Sequence, residues 1–299
     1  MPSFDAYEQH LPARLEELRR VDRAYELHQD VALDAIVLAD RVAGSADVPR
    51  RVLDVGCGLG FLAARLGEVL EDDAVVGIDP SAAAIELAKQ EHSGVNFYAA
   101  SAQEFADTMP ELGEAPFTHG VLNMVLHSVD DDTATAILKG VKRCLEPGGA
   151  LAVIVPTRTW LLDKLVEYAR GQGARRKPGI KWMSRVMMRE QVDLPVKIRD
   201  GQYYGPITVY NRTLDDYGKL LEAAGFGVGV SRYDVDGNLV GSAVKPYLVH
   251  SEAPVGNIVS YDIHARLREA LCTFVLPEPE VVAEVLQSRP QSSADILLR

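Results

Sequence analysis

Short apolar runs alternate with amphipathic stretches from Arg51 onward, and this alternation is the strongest pattern in the chain. Short apolar runs bounded by polar turns predict buried strands, whereas apolar residues recurring every three or four positions predict helices. Over residues 51–156 the two patterns take turns, which predicts a parallel sheet with helices on both faces. The turn-forming "EPGG" at 146–149 is predicted to separate the last helix of this region from its last strand.

On either side of this α/β region the pattern changes. Helical spacing of apolar residues predicts helices over residues 10–43 and 214–226, the second ended by Gly225. Strands are predicted in "GVGVSRYDV" and "PYLVH", and two helices with a polar end in the tail. We therefore divide the chain into an N-terminal helical segment (1–50), an α/β core (51–156), an inserted cap or substrate region (157–212), the C-terminal part of the core (213–250) and a C-terminal helical extension (251–299).

Composition and charge narrow the classes of function. A chain of 299 residues with 47% hydrophobic residues can bury a sizeable core. Its net charge of −12 argues against a nucleic-acid partner, because sequence-independent binding needs a basic footprint. The three isolated cysteines match neither a disulfide framework nor a zinc spacing, so we expect a reducing compartment and no metal. With no signal-peptide pattern and no apolar stretch of membrane-spanning length, we expect a cytoplasmic protein without a membrane partner.

A glycine-rich bend, "DVGCGLG" at residues 54–60, follows the first predicted strand and precedes a predicted helix. Its spacing is G-x-G-x-G, which differs from the dinucleotide fingerprint G-x-G-x-x-G. Glycines permit positive φ and a close ligand approach, and the next helix offers free N–H groups. Asp79 ends the following strand, where a carboxylate can accept hydrogen bonds from ribose hydroxyls. A purely structural role for Asp79, as a cap of the next helix, is compatible with that function.

Four segments in order and spacing resemble the class I S-adenosylmethionine-dependent methyltransferases. They are "VLDVGCGLG" (52–60), "VVGIDPS" (75–81), "CLEPGGALAV" (144–153) and "LLEAAGFGV" (220–228). The resemblance implies a Rossmann-like α/β fold, S-adenosylmethionine as cofactor, and a cofactor-binding core at 51–156. It implies that the cofactor contacts Asp54, Gly56, Gly58, Gly60, Asp79, Pro80, Ser101, Ala102, Gln103 and Leu122.

The resemblance also implies a role for each of these groups. The glycines would lie against the methionine part of the cofactor, and Asp54 would steady their loop or reach the amino group through water. Asp79 would bind both ribose hydroxyls, with Pro80 against the adenine face. The adenine edge would meet residues 101–103, and the carbonyl of Leu122 would face the methionine amine.

Two positions depart from the family pattern. Many members carry aspartate where this chain has Ser101, so the adenine contact is expected to shift toward Gln103. Many also carry aspartate at the position of Thr118, a mostly structural site. Neither change removes the ribose anchor.

Candidate acceptor-side residues follow the fourth predicted strand and lie in the inserted cap. His127 can act as a general base because its ordinary pKa is near neutral, although a structural histidine is the favoured interpretation. Tyr203, Tyr204 and Tyr210 can supply flat apolar walls with hydroxyl groups, or can simply pack within the cap. We expect Asn123 and these tyrosines to border the acceptor, with His127, Tyr203 and Tyr204 as candidate catalytic groups.

Residues 169–189 hold seven basic side chains and no acidic one. Lys181, Arg185 and Arg189 recur every four residues, so they form one stripe if the segment is a helix. Such a stripe suits a carboxylate or phosphate, which makes Arg185 and Arg189 candidate substrate-binding residues. A solvated helix face is the favoured alternative.

These observations predict methyl transfer from S-adenosylmethionine to a small molecule, such as an acidic metabolite or a natural-product intermediate. The alternatives are a methyltransferase-like protein that catalyses a rearrangement or cyclisation, and a non-catalytic binding protein. The predicted partner is a small-molecule substrate. A homodimer is compatible with the sequence, which does not decide the oligomeric state.

Overall fold

Helices and strands alternate along the core as the sequence pattern predicts. The computed structural model describes residues 8, 11–19, 49–70, 74–155, 190–197, 203–212, 214–226, 230–233, 257–262 and 271–276. Among these, the helices are α1 (Leu11–Arg19), α2 (Phe61–Val69), α3 (Ala82–Glu91), α4 (Ala102–Thr108), α5 (Asp131–Cys144) and α6 (Leu214–Ala223), with a 3-10 turn at Leu126–Ser128. The strands are β1 (Arg51–Val55), β2 (Ala74–Asp79), β3 (Asn96–Ala99), β4 (Phe117–Asn123), β5 (Leu145–Val155), β6 (Gln191–Lys197), β7 (Tyr203–Tyr210), β8 (Val230–Tyr233), β9 (Asn257–Asp262) and β10 (Leu271–Leu276).

One eight-stranded sheet has the order β3-β2-β1-β4-β5-β10-β9-β8. Strands β1 to β5 pair in parallel, so each connection between them must cross over the sheet. Helices α2 to α5 supply these crossovers in chain order. The mostly parallel sheet with flanking helices confirms the predicted Rossmann-like fold.

The core lies on the two faces of this sheet. In β1, Val52 and Leu53 are both 0% exposed, which explains why the strand is a continuous apolar run rather than an alternating one. On one face Phe105 of α4 packs against Phe117 of β4, with ring centroids 6.2 Å apart. Burial of each such side chain contributes about 1.5–3 kcal/mol, so the sheet and its helices form the stable frame of the site.

The prediction that "EPGG" forms a turn between α5 and β5 is wrong, because β5 already begins at Leu145. Leu145 pairs with Phe117, and the next pair joins Ala150 to His119. Residues 146–149 therefore form an irregularity within the β4–β5 ladder. Extra residues on one strand of a pair are accommodated as a bulge, which keeps the turn-forming residues inside the strand.

The prediction of two helices in the C-terminal extension is wrong for the described part of that segment. β10 pairs antiparallel with β5 and β9, and β9 pairs in parallel with β8. The strand sequences "NIVSYD" and "LCTFVL" are rich in β-branched and aromatic residues. They extend the sheet past β5, which would otherwise have an unpaired edge.

The cap contains a hairpin of β6 and β7 that the sequence pattern does not predict. The strands pair antiparallel from Gln191–Tyr210 to Lys197–Tyr203, with a register shift at Pro195–Val196. Pro195 and Pro206 face each other in the ladder. Proline is unusual within strands and obscures the alternating pattern by which a strand is recognised.

The remaining predicted elements agree with the structure where it describes them. Helix α6 ends at the predicted glycine: Gly225 has φ +87° and its N–H donates to the Glu222 carbonyl, while the Phe226 N–H donates to that of Leu221. Strand β8 lies within "GVGVSRYDV". Helix α1 lies within the predicted 10–43 region, whereas "PYLVH" falls outside the described residues.

Candidate active site

The carboxyl ends of β1, β2, β3 and β4 meet at one edge of the sheet, because these strands are parallel. The chain leaves β1 toward β2 and β3 and then returns to the other side of β1 at β4. The strand order therefore reverses between β1 and β4. In open α/β sheets the crevice outside the strand ends at such a reversal is the usual ligand site.

The glycine loop, residues 56–60, forms one wall of this crevice. Gly56, Gly58 and Gly60 have φ values of +71°, +54° and +80°. The N–H groups of Gly56 and Cys57 donate to the Ile78 carbonyl at 2.8 and 3.0 Å. A Cβ atom on Gly56 would lie 2.5 Å from Cγ2 of Val125, closer than any side chain tolerates. The loop is thus fixed against β2 and against the segment that follows β4.

Asp79, at the end of β2, links the glycine loop to helix α3. Its Oδ2 accepts from the Gly58 N–H at 3.0 Å and its Oδ1 from the Ser81 N–H at 2.8 Å. The carboxylate is 8% exposed, and burial raises its pKa while the two N–H donors lower it. A carboxylate oxygen has more than one lone-pair site, so both oxygens can accept a further hydrogen bond from a ligand hydroxyl.

Asp54 is a second buried acid beside the loop. It is 1% exposed, and burial, followed by the nearby charge of Asp79, raises its pKa to about 7. Its carboxylate accepts from the Ala63 backbone N–H, which lowers the pKa, yet Oδ2 has no hydrogen-bond partner in the described part of the chain. A buried oxygen without a partner is costly and marks a place where a ligand donor can be accepted.

The segment 123–129, called here the β4 turn, forms the opposite wall. Leu122, at the end of β4, is fully buried, whereas Asn123 is half-buried and its Oδ1 has no hydrogen-bond partner among the described residues. Met124 has φ +58°, an uncommon backbone conformation for a side chain of this size. His127 lies in the 3-10 turn and is 5% exposed. The structure therefore brings Asn123 and His127 into the same turn.

Residues 101–103 begin α4 and lie at the end of β3. The Ser101 hydroxyl accepts from the Glu104 N–H at 3.3 Å and donates to its carboxylate at 2.7 Å, while the Ser101 N–H donates back to that carboxylate at 2.9 Å. This is a capping box, whose S-x-x-E signature is visible in the sequence and was missed. Ala102 is buried and Gln103 is half-buried, and the adenine contact of these residues stays a prediction.

The three candidate tyrosines lie at opposite ends of one strand. Tyr210 ends β7 beside the β4 turn, and Tyr203 and Tyr204 begin it. At about 3.3 Å per residue, seven residues separate the two ends by roughly 23 Å. The structure thus brings Tyr210 to the β4 turn, whereas Tyr203 and Tyr204 start at the far end of the hairpin. Arg185 and Arg189 lie outside the described residues.

Arg212 is a functional candidate that sequence reasoning missed. It follows β7, is 7% exposed, and its guanidinium donates to the carbonyls of Leu126 and Val129 in the β4 turn. These partners lie more than eighty residues earlier in the chain, and nothing in "YNRT" marks the arginine as buried.

Helix α1 packs against the glycine loop and α3, at the edge of the sheet where the parallel strands end. Its leucines are buried against Leu59 of the glycine loop and Ala84 of α3. Just before the helix, the Glu8 carboxylate accepts from the Ser81 hydroxyl at 2.7 Å. Arg19 at the helix end pairs with Glu91 at 2.6 Å. These contacts attach α1 to both elements that flank Asp79.

Two kinds of feature are absent from the part of the chain that the structure describes. No cluster of histidine, cysteine, aspartate or glutamate there could hold a metal ion. No helix there is long and apolar enough to cross a membrane. Cys57, at the glycine loop, is buried, and burial raises its pKa, which disfavours the nucleophilic thiolate.

The chain is similar in sequence to known methyltransferases. A family profile described as a methyltransferase domain matches residues 25–228, which is more than half of the chain. Trans-aconitate 2-methyltransferase of Rhodopseudomonas palustris is 30% identical over 195 residues, covering 59% of this chain and 67% of that enzyme. An uncharacterized methyltransferase of Mycobacterium tuberculosis is 34% identical over 130 residues, covering 43% of this chain and 57% of that protein.

The fold is shared with solved structures as well. The crystal structure of an S-adenosylmethionine-dependent methyltransferase from Clostridium acetobutylicum has a TM-score of 0.52 and 12% identity, covering 86% of this chain and 93% of that one. The family match, the Rossmann-like sheet and the glycine loop agree with one another, and they confirm the resemblance and its cofactor. The chain belongs to the class I methyltransferases, enzymes that use S-adenosylmethionine as their cofactor.

Proposed function

We propose that this chain transfers the methyl group of S-adenosylmethionine to a carboxylate of a small acidic molecule. The single observation that carries the proposal is the likeness to trans-aconitate 2-methyltransferase, an enzyme named for an acidic substrate, across 59% of the chain. The run of seven basic side chains in residues 169–189 supports an acidic acceptor, in a chain whose net charge is −12.

In this proposal the buried acids and the glycine loop hold the cofactor. Asp79 accepts hydrogen bonds from the ribose hydroxyls with the lone pairs that Gly58 and Ser81 leave available. Asp54, with its unpartnered Oδ2, attracts the ammonium group, and the Leu122 carbonyl near the end of β4 is a second proposed acceptor for it. The glycine loop approaches the methionine part closely because its glycines carry no side chain.

The adenine base lies, in this proposal, near the start of α3 and α4. Pro80 is exposed beside Asp79 and offers a flat apolar surface to the ring. The Ser101 hydroxyl is engaged in the capping box, so the adenine edge is read by Gln103 and by backbone groups of residues 101–103. These contacts fit S-adenosylmethionine without a metal ion.

The chemistry asks little of the protein's acids and bases. The cofactor supplies a methyl group already activated on a sulfonium sulfur. A carboxylate has an ordinary pKa near 4 and is already deprotonated at neutral pH, so the acceptor needs no general base. The protein's task is to align the acceptor oxygen with the methyl group and to exclude water. His127 therefore orients the acceptor in this proposal and does not take its proton.

The acceptor lies between the β4 turn and the β6–β7 hairpin. Asn123 and His127 border it from the turn, and Tyr210 borders it from the hairpin. Arg185 and Arg189 supply positive charge for the carboxylates that are not methylated. Charge-assisted hydrogen bonds of this kind contribute about 1.5–3 kcal/mol each, enough to select an acid over its neutral ester.

The test is methyl transfer to defined acceptors. The purified chain is incubated with methyl-labelled S-adenosylmethionine and a panel of small di- and tricarboxylic acids that includes trans-aconitate, each beside its fully esterified form. We expect a labelled methyl ester from at least one acid and none from the esters. Arg185→Ala and Arg189→Ala are expected to raise the KM of that acid, and to do so less at high salt if they only steer it.

The other outcomes separate the alternatives. An unlabelled isomer of the acceptor would indicate a rearrangement, and cofactor binding without any product would indicate a binding protein. Methylation of a neutral acceptor in preference to every acid would overturn the proposed substrate class while keeping methyl transfer.

A further inference from the structure

Arg212 carries a positive charge in the interior, and its guanidinium is satisfied by two carbonyls of the β4 turn and by the Asp131 carboxylate at the start of α5. Its side chain is 6% exposed. Nη1 donates to the Leu126 carbonyl at 2.5 Å and Nη2 to the Val129 carbonyl at 2.7 Å. Nε and Nη2 donate to Oδ1 of Asp131 at 2.8 and 2.6 Å. A buried guanidinium is tolerated only when it is bonded in this way.

The carbonyls that Arg212 reaches are those that the turn cannot satisfy itself. A short 3-10 turn leaves most of its carbonyls without an internal partner. The Val125 carbonyl is served by the N–H and hydroxyl of Ser128, at 3.1 and 2.7 Å. Arg212 donates hydrogen bonds to the carbonyls of Leu126 and Val129, which lie on either side of His127. The guanidinium is therefore part of what keeps this turn folded.

The turn that it holds is under constraint from the cofactor side as well. Met124 has φ +58°, a conformation that costs about 1–3 kcal/mol for a non-glycine residue and persists only when its surroundings impose it. Val125 fills the space beside Gly56 of the glycine loop. The same turn carries the orphan amide oxygen of Asn123.

The other face of Arg212 belongs to the hairpin and to α6. The guanidinium carbon lies 5.1 Å from the ring centroid of Tyr210 and 5.8 Å from that of Tyr217. The neighbouring Asn211 N–H donates to the Glu190 carbonyl at 2.8 Å, which closes the open end of the hairpin. Arg212 thus joins four elements at one point: the β4 turn, α5, the hairpin and α6.

We propose that Arg212 is a positioning residue for methyl transfer: it holds the β4 turn against the hairpin and thereby places Asn123 and His127 on the acceptor side of the site. The inference rests on the proposed function for its catalytic consequence, and on the described contacts for its structural one. Because its donors are engaged by the turn and by Asp131, Arg212 acts through Asn123 and His127 without contacting the acceptor itself.

The test uses two variants and a matched control. Arg212→Lys keeps the charge but loses the planar fork that reaches two carbonyls and a carboxylate at once. Asp131→Ala removes the anionic partner, whose side chain is 76% exposed, so the fold itself is retained. Asp132→Ala is the control, because Asp132 is an exposed acid in the same first turn of α5 and Arg212 bonds its neighbour.

Three quantities are measured: turnover of an identified acceptor, affinity for S-adenosylhomocysteine, and amide hydrogen exchange of residues 126–129. We expect Arg212→Lys and Asp131→Ala to lower kcat about tenfold, to leave cofactor affinity within about threefold, and to speed exchange in the turn. Asp132→Ala is expected to match the wild type in all three. A purely structural role would lower stability without separating kcat from cofactor affinity.

The failure of this inference and of the proposed function are distinguishable. If the wild-type chain methylates no acid, the proposed function fails, and exchange in the turn still decides whether Arg212 holds it. Unchanged exchange in both variants overturns the inference. Faster exchange with unchanged kcat overturns its catalytic part, and so does a parallel loss of kcat and cofactor affinity.

Discussion

The two sides of the crevice are built in different ways. On the cofactor side, Gly58 and Asp79 are joined directly across 21 residues, within one strand–helix–strand unit. On the acceptor side, Arg212 reaches back 81 to 86 residues to the β4 turn, from a hairpin inserted after β5. In the proposed assignment, the contacts between the glycine loop and Asp79 are thus formed within the core, whereas the acceptor side depends on contacts with the docked hairpin.

The two sides also differ in buried charge. Asp54 and Asp79 are buried acids whose pKa values are raised by burial. Arg212 is a buried cation whose partners are two carbonyls and an exposed carboxylate. Buried acids can accept hydrogen bonds from hydroxyl and ammonium groups, which the cofactor has. The Arg212 guanidinium instead donates to backbone carbonyls and holds the β4 turn. We expect this separation to let the acceptor side change without loss of cofactor binding, and five variants test it.

The largest expected effect is on the cofactor side, from Asp79→Ala. It removes the two proposed ribose hydrogen bonds, worth about 1.5–3 kcal/mol each, so we expect affinity for S-adenosylhomocysteine to fall about a hundredfold or more. Titration calorimetry measures it. Asp107→Ala is the control, because that acid pairs with Arg143 on an exposed surface. Unchanged affinity in Asp79→Ala would remove the basis of the cofactor site.

Gly56→Ala tests whether the two walls must touch. The new Cβ would meet Val125 at 2.5 Å in a backbone with φ +71°, a strain of about 1–3 kcal/mol. We expect a lower melting temperature and cofactor affinity reduced about tenfold. Gly113→Ala is the matched control, since its φ is +73° and a Cβ there meets nothing within 4 Å. Equal behaviour of the two variants would contradict the close approach of loop and turn.

The pH dependence of cofactor binding tests the charge of Asp54. Its pKa is about 7, so the fraction of the carboxylate that can attract an ammonium group grows as pH rises through 7. We expect affinity for S-adenosylhomocysteine to increase between about pH 6 and pH 8, by several-fold, and to become flatter in Asp54→Asn. An identical pH profile in both proteins would exclude Asp54 as the group that titrates.

The raised pKa of Asp54 has the opposite effect on the stability of the ligand-free chain, which decreases as pH rises. The pKa of Asp54 in the folded chain, about 7, lies above its ordinary value of 3.8. The folded state therefore binds this proton more tightly, and the contribution to stability is complete below pH 3.8 and is lost as pH rises toward 7. Ligand binding thus favours the ionised form of Asp54, whereas folding of the ligand-free chain favours the protonated form. The melting temperature measured across this pH range reports the effect on folding.

The smallest expected effects concern the hairpin tyrosines. Tyr210→Phe removes a hydroxyl near the β4 turn and is expected to raise the acceptor KM a few-fold, with cofactor affinity unchanged. The double variant Tyr203→Phe and Tyr204→Phe is predicted to lower turnover in the same way if both ends of β7 border the acceptor. Steady-state kinetics decides between the ends: an effect confined to Tyr210 would limit the acceptor pocket to the end of the hairpin that carries Arg212.

The cofactor side could be predicted from the sequence because its determinants are local. The glycine loop, Asp79 and the helix that follows each are short patterns with a physical meaning, and the structure places them together. The Ser101 capping box is equally local, because the S-x-x-E spacing of Ser101 and Glu104 is enough to indicate it.

The rest depends on partners that are distant in sequence. The tail was predicted as helices; the β-branched and aromatic residues of β9 and β10 favour strands, and pairing next to β5 fixes them in the sheet. The role of Arg212 depends on carbonyls of the β4 turn, and a carbonyl leaves no trace in the sequence. The hairpin was hidden by paired prolines, whose cost is tolerated within a two-stranded sheet.

The most direct test of the divided site compares Asp79→Asn with Asp131→Ala and with the double variant, in cofactor affinity and in kcat. The account predicts that Asp79→Asn weakens S-adenosylhomocysteine binding, and that Asp131→Ala lowers kcat while binding stays within about threefold. In the double variant, the changes in the free energies of binding and of activation are each expected to equal the sum of the changes in the two single variants. A single pattern, in which both variants reduce affinity and kcat by the same factor, would contradict it.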